Sequence, residues 1–212
     1  MDISNKKVYF LGDSITEGAG ASRAENSFVG RFKTAYPNAE IINYGRGGTR
    51  IAKQLSPSEN GGFDYHFIAR ANDMQPDADL IVVFGGTNDF GHGNAPLGDI
   101  HSKDEKTFYG ALYTLFENLL LKYPLAKILV LTPLRRGDEV NNRGMTLQEY
   151  VTAVKERAAY FALPVLDLYT TSGMNPQVAN VQQTLMPDGL HPNDEGHNRL
   201  FQLINAYICN MM

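Results

Sequence analysis

Short, mainly apolar runs recur along the chain at residues 8–11, 40–43, 80–84, 128–131 and 165–168, and they limit what it can fold into. The runs hardly alternate with polar residues; one ends in Asn43, and Gly12, Gly85 and Pro133 stand just beyond three others. A strand with one wet face alternates, whereas an unalternating run reads as a parallel strand covered on both faces. The stretches between the runs carry helical spacing. Phe28, Phe32 and Ala35 fall on one helix face, and Phe108, Leu112, Leu115 and Leu119 on a second. Leu147, Val151, Val154, Ala158 and Phe161 line a third, and Leu200, Ile204 and Ile208 the last. Thr146 with Glu149 predicts a capping box at the start of the third helix, Asp194 a cap for the last, and Leu163-Pro164 a stop before the fifth strand. Alternating strands and helices imply right-handed crossovers, with helices on both faces of the sheet. The expected fold class is a three-layer α/β/α arrangement around a five-stranded parallel sheet. No repeat, low-complexity segment or linker divides the 212 residues, so 1–212 reads as a single domain.

Composition removes several classes of function. The 19 basic and 23 acidic residues give a formal net charge of -4, so nucleic acid is not an expected partner. No apolar stretch approaches the length of a membrane span, and the first residues lack the apolar core of a signal peptide. No integral membrane association is therefore expected, and the chain reads as cytoplasmic. The single cysteine, Cys209, can form neither an internal disulfide nor a Cys-rich zinc site. His191, Asp194 and His197 stand at i, i+3 and i+6, which diverge around a helix, and no H-E-x-x-H pattern occurs, so no metal is expected. Glycine-rich phosphate-binding patterns are also incomplete: Gly45-Arg46-Gly47-Gly48-Thr49-Arg50 fails G-x-G-x-x-G at its last position.

Ligands of open parallel sheets bind at the carboxyl ends of the strands. The first run is followed by Gly12-Asp13-Ser14-Ile15-Thr16-Glu17-Gly18 and the second by Tyr44-Gly45-Arg46-Gly47-Gly48. Gly85-Gly86-Thr87-Asn88-Asp89 follows the third, and Thr132-Pro133-Leu134-Arg135-Arg136 the fourth. Asp188-Gly189-Leu190-His191-Pro192 precedes the last helix. Each piece alone has a plain structural reading as a cap, a turn or a positive-φ glycine. Together, on one edge of one sheet, they supply what acyl transfer needs. A serine hydroxyl is a weak nucleophile and needs a base to take its proton. Histidine suits that task, with an unperturbed pKa of about 6.5. A carboxylate must hold the imidazole tautomer, and Asp188 and His191 are close enough for one turn to aim both. The tetrahedral oxyanion needs fixed donors, for which the N–H groups of Ser14 and Gly48 and the Asn88 amide are candidates.

In four of these segments, Gly12-Asp13-Ser14, the glycine at 48, Gly86-Thr87-Asn88-Asp89 and Asp188-Gly189-Leu190-His191-Pro192, running in order from residue 12 to residue 192, the chain resembles the SGNH or GDSL hydrolases. The resemblance implies a flavodoxin-like fold, Ser14 as nucleophile, His191 as base and Asp188 as its orienter. It also implies an oxyanion hole of Ser14, Gly48 and Asn88. It implies hydrolysis of carboxylic esters, among them acetylated sugars, lysophospholipids, acyl thioesters and small aryl esters, with no metal or organic cofactor. Glycines at both 47 and 48 leave the second donor open to a slip of one residue. The serine does not fit G-x-S-x-G, which argues against the α/β-hydrolase alternative. A binding module that had lost its chemistry is the non-enzymatic alternative, but no triad position is replaced.

Substrate preference is read from the loops. Asp13, His92 and Arg135 are the candidate substrate contacts, and the insertion at 90–106 is a candidate lid or pocket wall. His66 and His101 read as loop residues. Polar residues near the site suit a short acyl group on a hydroxyl-rich alcohol, so a small-molecule ester is the expected partner. A lysophospholipase or thioesterase, with Arg135 and Arg136 facing phosphate, is the alternative.

Overall fold

The structure is a computed structural model and describes residues 1–211. Its strands are β1 (Lys7–Gly12), β2 (Glu40–Gly45), β3 (Leu80–Phe84), β4 (Lys127–Leu131) and β5 (Val165–Leu166). All pair in parallel, in the order β2-β1-β3-β4-β5. The longer helices are α2 (Phe28–Ala35), α5 (Phe108–Lys122), α6 (Leu147–Tyr160) and α9 (Asp194–Asn210). The shorter ones are α1 (Ser14–Glu17), α3 (Phe67–Asp73), α4 (Thr87–His92), α7 (Leu168–Thr171) and α8 (Ala179–Leu185).

Unalternating strands make two cores, because neighbouring side chains point to opposite faces. Tyr9, Leu11, Ile81, Val83, Ile128 and Val130 meet α3, α5 and α6 on one side. Val8, Phe10, Val82, Phe84, Leu129 and Leu131 meet α2 and α9 on the other. Phe28 and Phe32 of α2 close on Phe10, with ring centroids 5.7 and 5.1 Å away. The helix starts follow their local chemistry. Ser27 caps α2, Thr107 caps α5, and Thr146 with Glu149 forms the expected capping box on α6.

Three local expectations are corrected. Asn193, not Asp194, caps α9, accepting from the N–H groups of Glu195 and Gly196. Asp194 is instead held by Ser22 and Asn26, across 172 and 168 residues. The fifth strand stops at Leu166, because the Asp167 carboxylate turns back to cap α7. The helix of residues 147–160 ends before Phe161, and Ala162 takes a left-handed φ of 54° to make the turn into β5.

The sheet order sets where a site can form. The connection after β1 runs to β2 on one side and the connection after β3 runs to β4 on the other, which opens a crevice at the carboxyl ends of β1 and β3. The strand ends are flush: Gly12 pairs with Gly45 and Phe84, and Phe84 with Leu131. The loops carrying the sequence blocks therefore leave the sheet side by side.

Candidate active site

Ser14 is the first residue of α1, half-buried, directly beyond the end of β1. The buried Asp13 carboxylate caps that helix by accepting from Ile15 N–H at 3.0 Å. Ser14 itself, at the first helical position, has an N–H left over from the helix. Asn43 on β2 fastens the turn, donating to Thr16 carbonyl at 2.8 Å while accepting from Gly45 N–H at 2.8 Å.

His191 arrives from 177 residues away. Its Nε2 lies 3.0 Å from Ser14 Oγ, and its Nδ1 lies 2.7 Å from Asp188 Oδ2. Asp188 Oδ1 accepts from the backbone N–H groups of Leu190 at 2.8 Å and His191 at 2.6 Å. Gly189 between them takes a φ of 75°, which a side chain would strain. Gly137 N–H donates to Gly189 carbonyl at 2.8 Å and pins the turn to the loop after β4. Burial pushes the Asp188 carboxyl up, but the hydrogen bonds from His191 and Leu190 outweigh it and hold it below the usual carboxylate range. The carboxylate is therefore ionised at neutral pH, as a group that steadies an imidazolium must be.

The two glycines of the second sequence block differ in which N–H is free. Gly47 N–H donates to Glu17 Oε2 at 2.8 Å. Gly48 N–H has no acceptor among the described residues, and its φ of 71° turns the backbone in a way open to glycine. A side chain there would also collide with the Phe63 ring, 2.1 Å from where a Cβ would stand. Asn88, on α4, donates from Nδ2 to Thr49 carbonyl at 2.9 Å, leaving one amide hydrogen over. Its neighbour Asp89 accepts from the N–H groups of Ile51 at 2.9 Å and Ala52 at 2.8 Å and so ties the 48–52 segment to α4. Burial lifts the carboxyls of Asp13 and Asp89 each to about 6.

The side chains read from the loops fall differently. Asp13 is 2% exposed and spent on capping, so it offers substrate no surface. Arg135 stacks 4.1 Å from the Tyr169 ring centroid and pairs with Glu139 at 3.7 Å, on the β5 side. Arg136 instead donates to Thr87 carbonyl at 3.0 Å, at the start of α4. The 90–106 segment begins as the end of α4 and is then strapped to the body rather than poised as a lid. Arg143 donates to Ala95 carbonyl at 2.8 Å and Arg157 to Ser102 carbonyl at 2.6 Å. His92, at its base, reaches Asn88 and Arg50. Of the other histidines, His101 is exposed and His66 half-buried ahead of α3. His197 is fully buried, with Nε2 on Ala19 carbonyl at 3.0 Å and Nδ1 accepting from Phe28 N–H at 3.3 Å.

Sequence reasoning passed over Glu17, Arg50 and Phe63. Nothing in their spacing marks them, because their role depends on contacts made across the site. Glu17, Arg46, Gly47, Asn60, Gly62 and Phe63 line an open groove of about 570 Å³, which reaches Ser14 at Gly47, where a Cβ would stand 3.7 Å from Ser14 Cβ.

The GDSL-like lipase/acylhydrolase family model matches residues 10–199. A GDSL lipase of Mycobacterium tuberculosis is 26% identical over 98% of this chain and 84% of its own. A solved structure from Lactobacillus plantarum is 27% identical, with a TM-score of 0.87 over the whole of both chains. An acetyl xylan esterase shares the fold at 22% identity, with a TM-score of 0.68 over 95% of this chain and 99% of its own. Among the described residues, no helix is long and apolar enough to cross a membrane. With the family model spanning nearly all of its length, this chain belongs to the GDSL-like lipases/acylhydrolases and is a hydrolase of ester bonds.

Proposed function

We propose that Ser14, His191 and Asp188 are the catalytic triad and that the Ser14 N–H, the Gly48 N–H and the Asn88 amide form the oxyanion hole. The observation that carries this reading is the unbroken relay from Ser14 Oγ to His191 Nε2 at 3.0 Å and from His191 Nδ1 to Asp188 at 2.7 Å. Ser14 Oγ attacks the ester carbonyl carbon while its proton passes to His191 Nε2. The carbonyl oxygen becomes the oxyanion and takes hydrogen bonds from the three donors. Collapse breaks the bond to the alcohol, which leaves with the proton from His191. Water then attacks the acyl-enzyme, giving its proton to His191, and the acid departs as Ser14 is restored.

The substrate we favour is a short-acyl ester, above all an acetyl ester, of a carbohydrate or a similar small polar alcohol. The groove next to Ser14 supports this, because Glu17, Arg46 and Asn60 line it together with Phe63. Hydroxyl groups find donors and acceptors there, and a sugar's apolar face finds an aromatic one. The acetyl xylan esterase that shares the fold points the same way. The test compares p-nitrophenyl acetate, octanoate and palmitate. Acetate should turn over fastest; a faster octanoate or palmitate would overturn the short-acyl preference. In parallel, a fluorophosphonate probe should label the wild type and leave Ser14→Ala unlabelled, whereas equal labelling would remove Ser14 from the mechanism.

A further inference from the structure

His92 follows the third sequence block by three residues and ends α4, so it projects from the same short helix as Asn88. The Asn88 amide is held from two sides, and the polarity of every bond can be worked out. Thr49 carbonyl can only accept, so the group facing it at 2.9 Å is Nδ2. That turns Asn88 Oδ1, an acceptor, towards His92 Nε2 at 3.1 Å, which must therefore carry the hydrogen. A neutral ring protonated on Nε2 has a bare Nδ1. Nδ1 meets Arg50 Nη2, a donor, at 2.6 Å. The carbonyl at one end and the guanidinium at the other thus allow one arrangement of hydrogens.

Arg50 is itself fixed. Its side chain is 5% exposed, it donates to Ser58 Oγ at 2.6 Å, and it pairs with Asp64 at 3.4 Å. The Phe63 ring lies 5.6 Å from the His92 ring and fills the place a Cβ on Gly48 would take. A doubly protonated His92 would turn an N–H towards the Arg50 N–H. Accordingly, desolvation and then the charges of Arg50 and Arg136 push its pKa down to about 4.

From this hydrogen-bond chain we infer that His92, held by Arg50, is the positioning residue of the Asn88 amide. The inference rests on the reading of Asn88 as an oxyanion donor. The terminal torsion of an asparagine side chain is broad, so Thr49 alone leaves the amide free to swing about one bond. A second bond, to Oδ1, fixes the direction of the remaining N–H, and a fixed donor stabilises an oxyanion better than one that must first rotate. His92 touches Asn88 and Arg50 and acts through the amide, not on the substrate.

A double-mutant cycle with p-nitrophenyl acetate tests this. His92→Phe should lower kcat by about 10- to 100-fold with KM changed less than about twofold, a smaller loss than the roughly 10²- to 10³-fold expected of Asn88→Ala. In the Asn88→Ala background, His92→Phe should cost less than about twofold, because the amide it positions is gone. His92→Gln, which keeps an N–H at the end of its side chain, should recover part of kcat. A melting curve for each variant separates lost folding from lost chemistry, and His92→Asn carries the same cycle should His92→Phe fail to fold. The inference is overturned if folded His92→Phe keeps kcat within about twofold of wild type, or if its cost is unchanged without the Asn88 amide. If Asn88→Ala itself leaves kcat unchanged, the oxyanion reading of Asn88 falls, and the inference falls with it.

Discussion

The turn carrying Asp188 and His191 holds its shape through bonds between residues two and three apart, whereas Asn88 and Gly47 are held by bonds that cross 39 and 30 residues. The turn is also wetter. The side chains of His191 and Asp188 are 26% and 54% exposed, while Asn88 is 6% exposed and its neighbour Asp89 only 3%. The contrast matches the two tasks assigned to these regions. A group that takes and returns a proton must exchange it with alcohol and water, and so it sits near solvent. A donor to an oxyanion acts by being aimed beforehand, and burial under fixed partners keeps it aimed. Buried carboxylates are the cost on that side: Asp13 and Asp89 hold the segments that carry the proposed donors but are hard to ionise there.

The largest expected effect breaks the proton-relay half outright. Ser14→Ala should lower kcat by about 10⁶, which is about 8 kcal/mol of barrier, if the triad acts as a unit. Steady-state hydrolysis of p-nitrophenyl acetate measures it, and retention of more than about a tenth of the wild-type rate would end the acyl-enzyme account. Next comes Asp188→Asn, which keeps the shape of the turn but loses the charge and presents an amide to the imidazole. A loss of about 10⁴ in kcat is expected, with KM little changed. A loss near tenfold would mean that the backbone of the turn, not the carboxylate, orients His191.

The smallest effect sharpens the comparison on the buried side. The Asp13 carboxyl is raised from 3.8 to about 6 by burial. Its contribution to stability is therefore fully present below about pH 4 and is lost as pH rises through about 6, where the buried group must ionise. Asp13→Asn keeps the helix cap but cannot ionise. Relative to that variant, the wild type should lose roughly 3 kcal/mol of unfolding free energy between pH 4 and pH 7. Urea melts across that range measure it, and parallel pH profiles for the two proteins would show that burial does not govern this carboxyl.

Much of the architecture was legible because it is local. Apolar runs of four or five residues without alternation predict covered parallel strands, and the structure places strands at all of them. Helices with a long apolar face were legible for the same reason, α5 and α6 above all. The short α3 and α8 were not, since seven residues give too few turns for a period to show. Asp194 looked like a cap because Asp favours that position, but Asn193 one residue earlier fits it, and Ser22 and Asn26 hold Asp194 elsewhere. Arg135 and Arg136 are indistinguishable as neighbours in a loop, and it is Tyr169 and Thr87 that separate them.

The types of residue at the strand ends were a matter of sequence alone. Ser14, Asn88, Asp188 and His191 point to their proposed roles by identity and order, because few side chains can serve as nucleophile, donor, orienter or base. Which donors remain free was a tertiary decision. Glu17 occupies the N–H of Gly47 and leaves that of Gly48, and Thr49 with His92 fixes which way the Asn88 amide points. A hydrogen bond spends a donor once, and the partner that spends it lies tens of residues away in the chain, so only the folded arrangement can say which one is left.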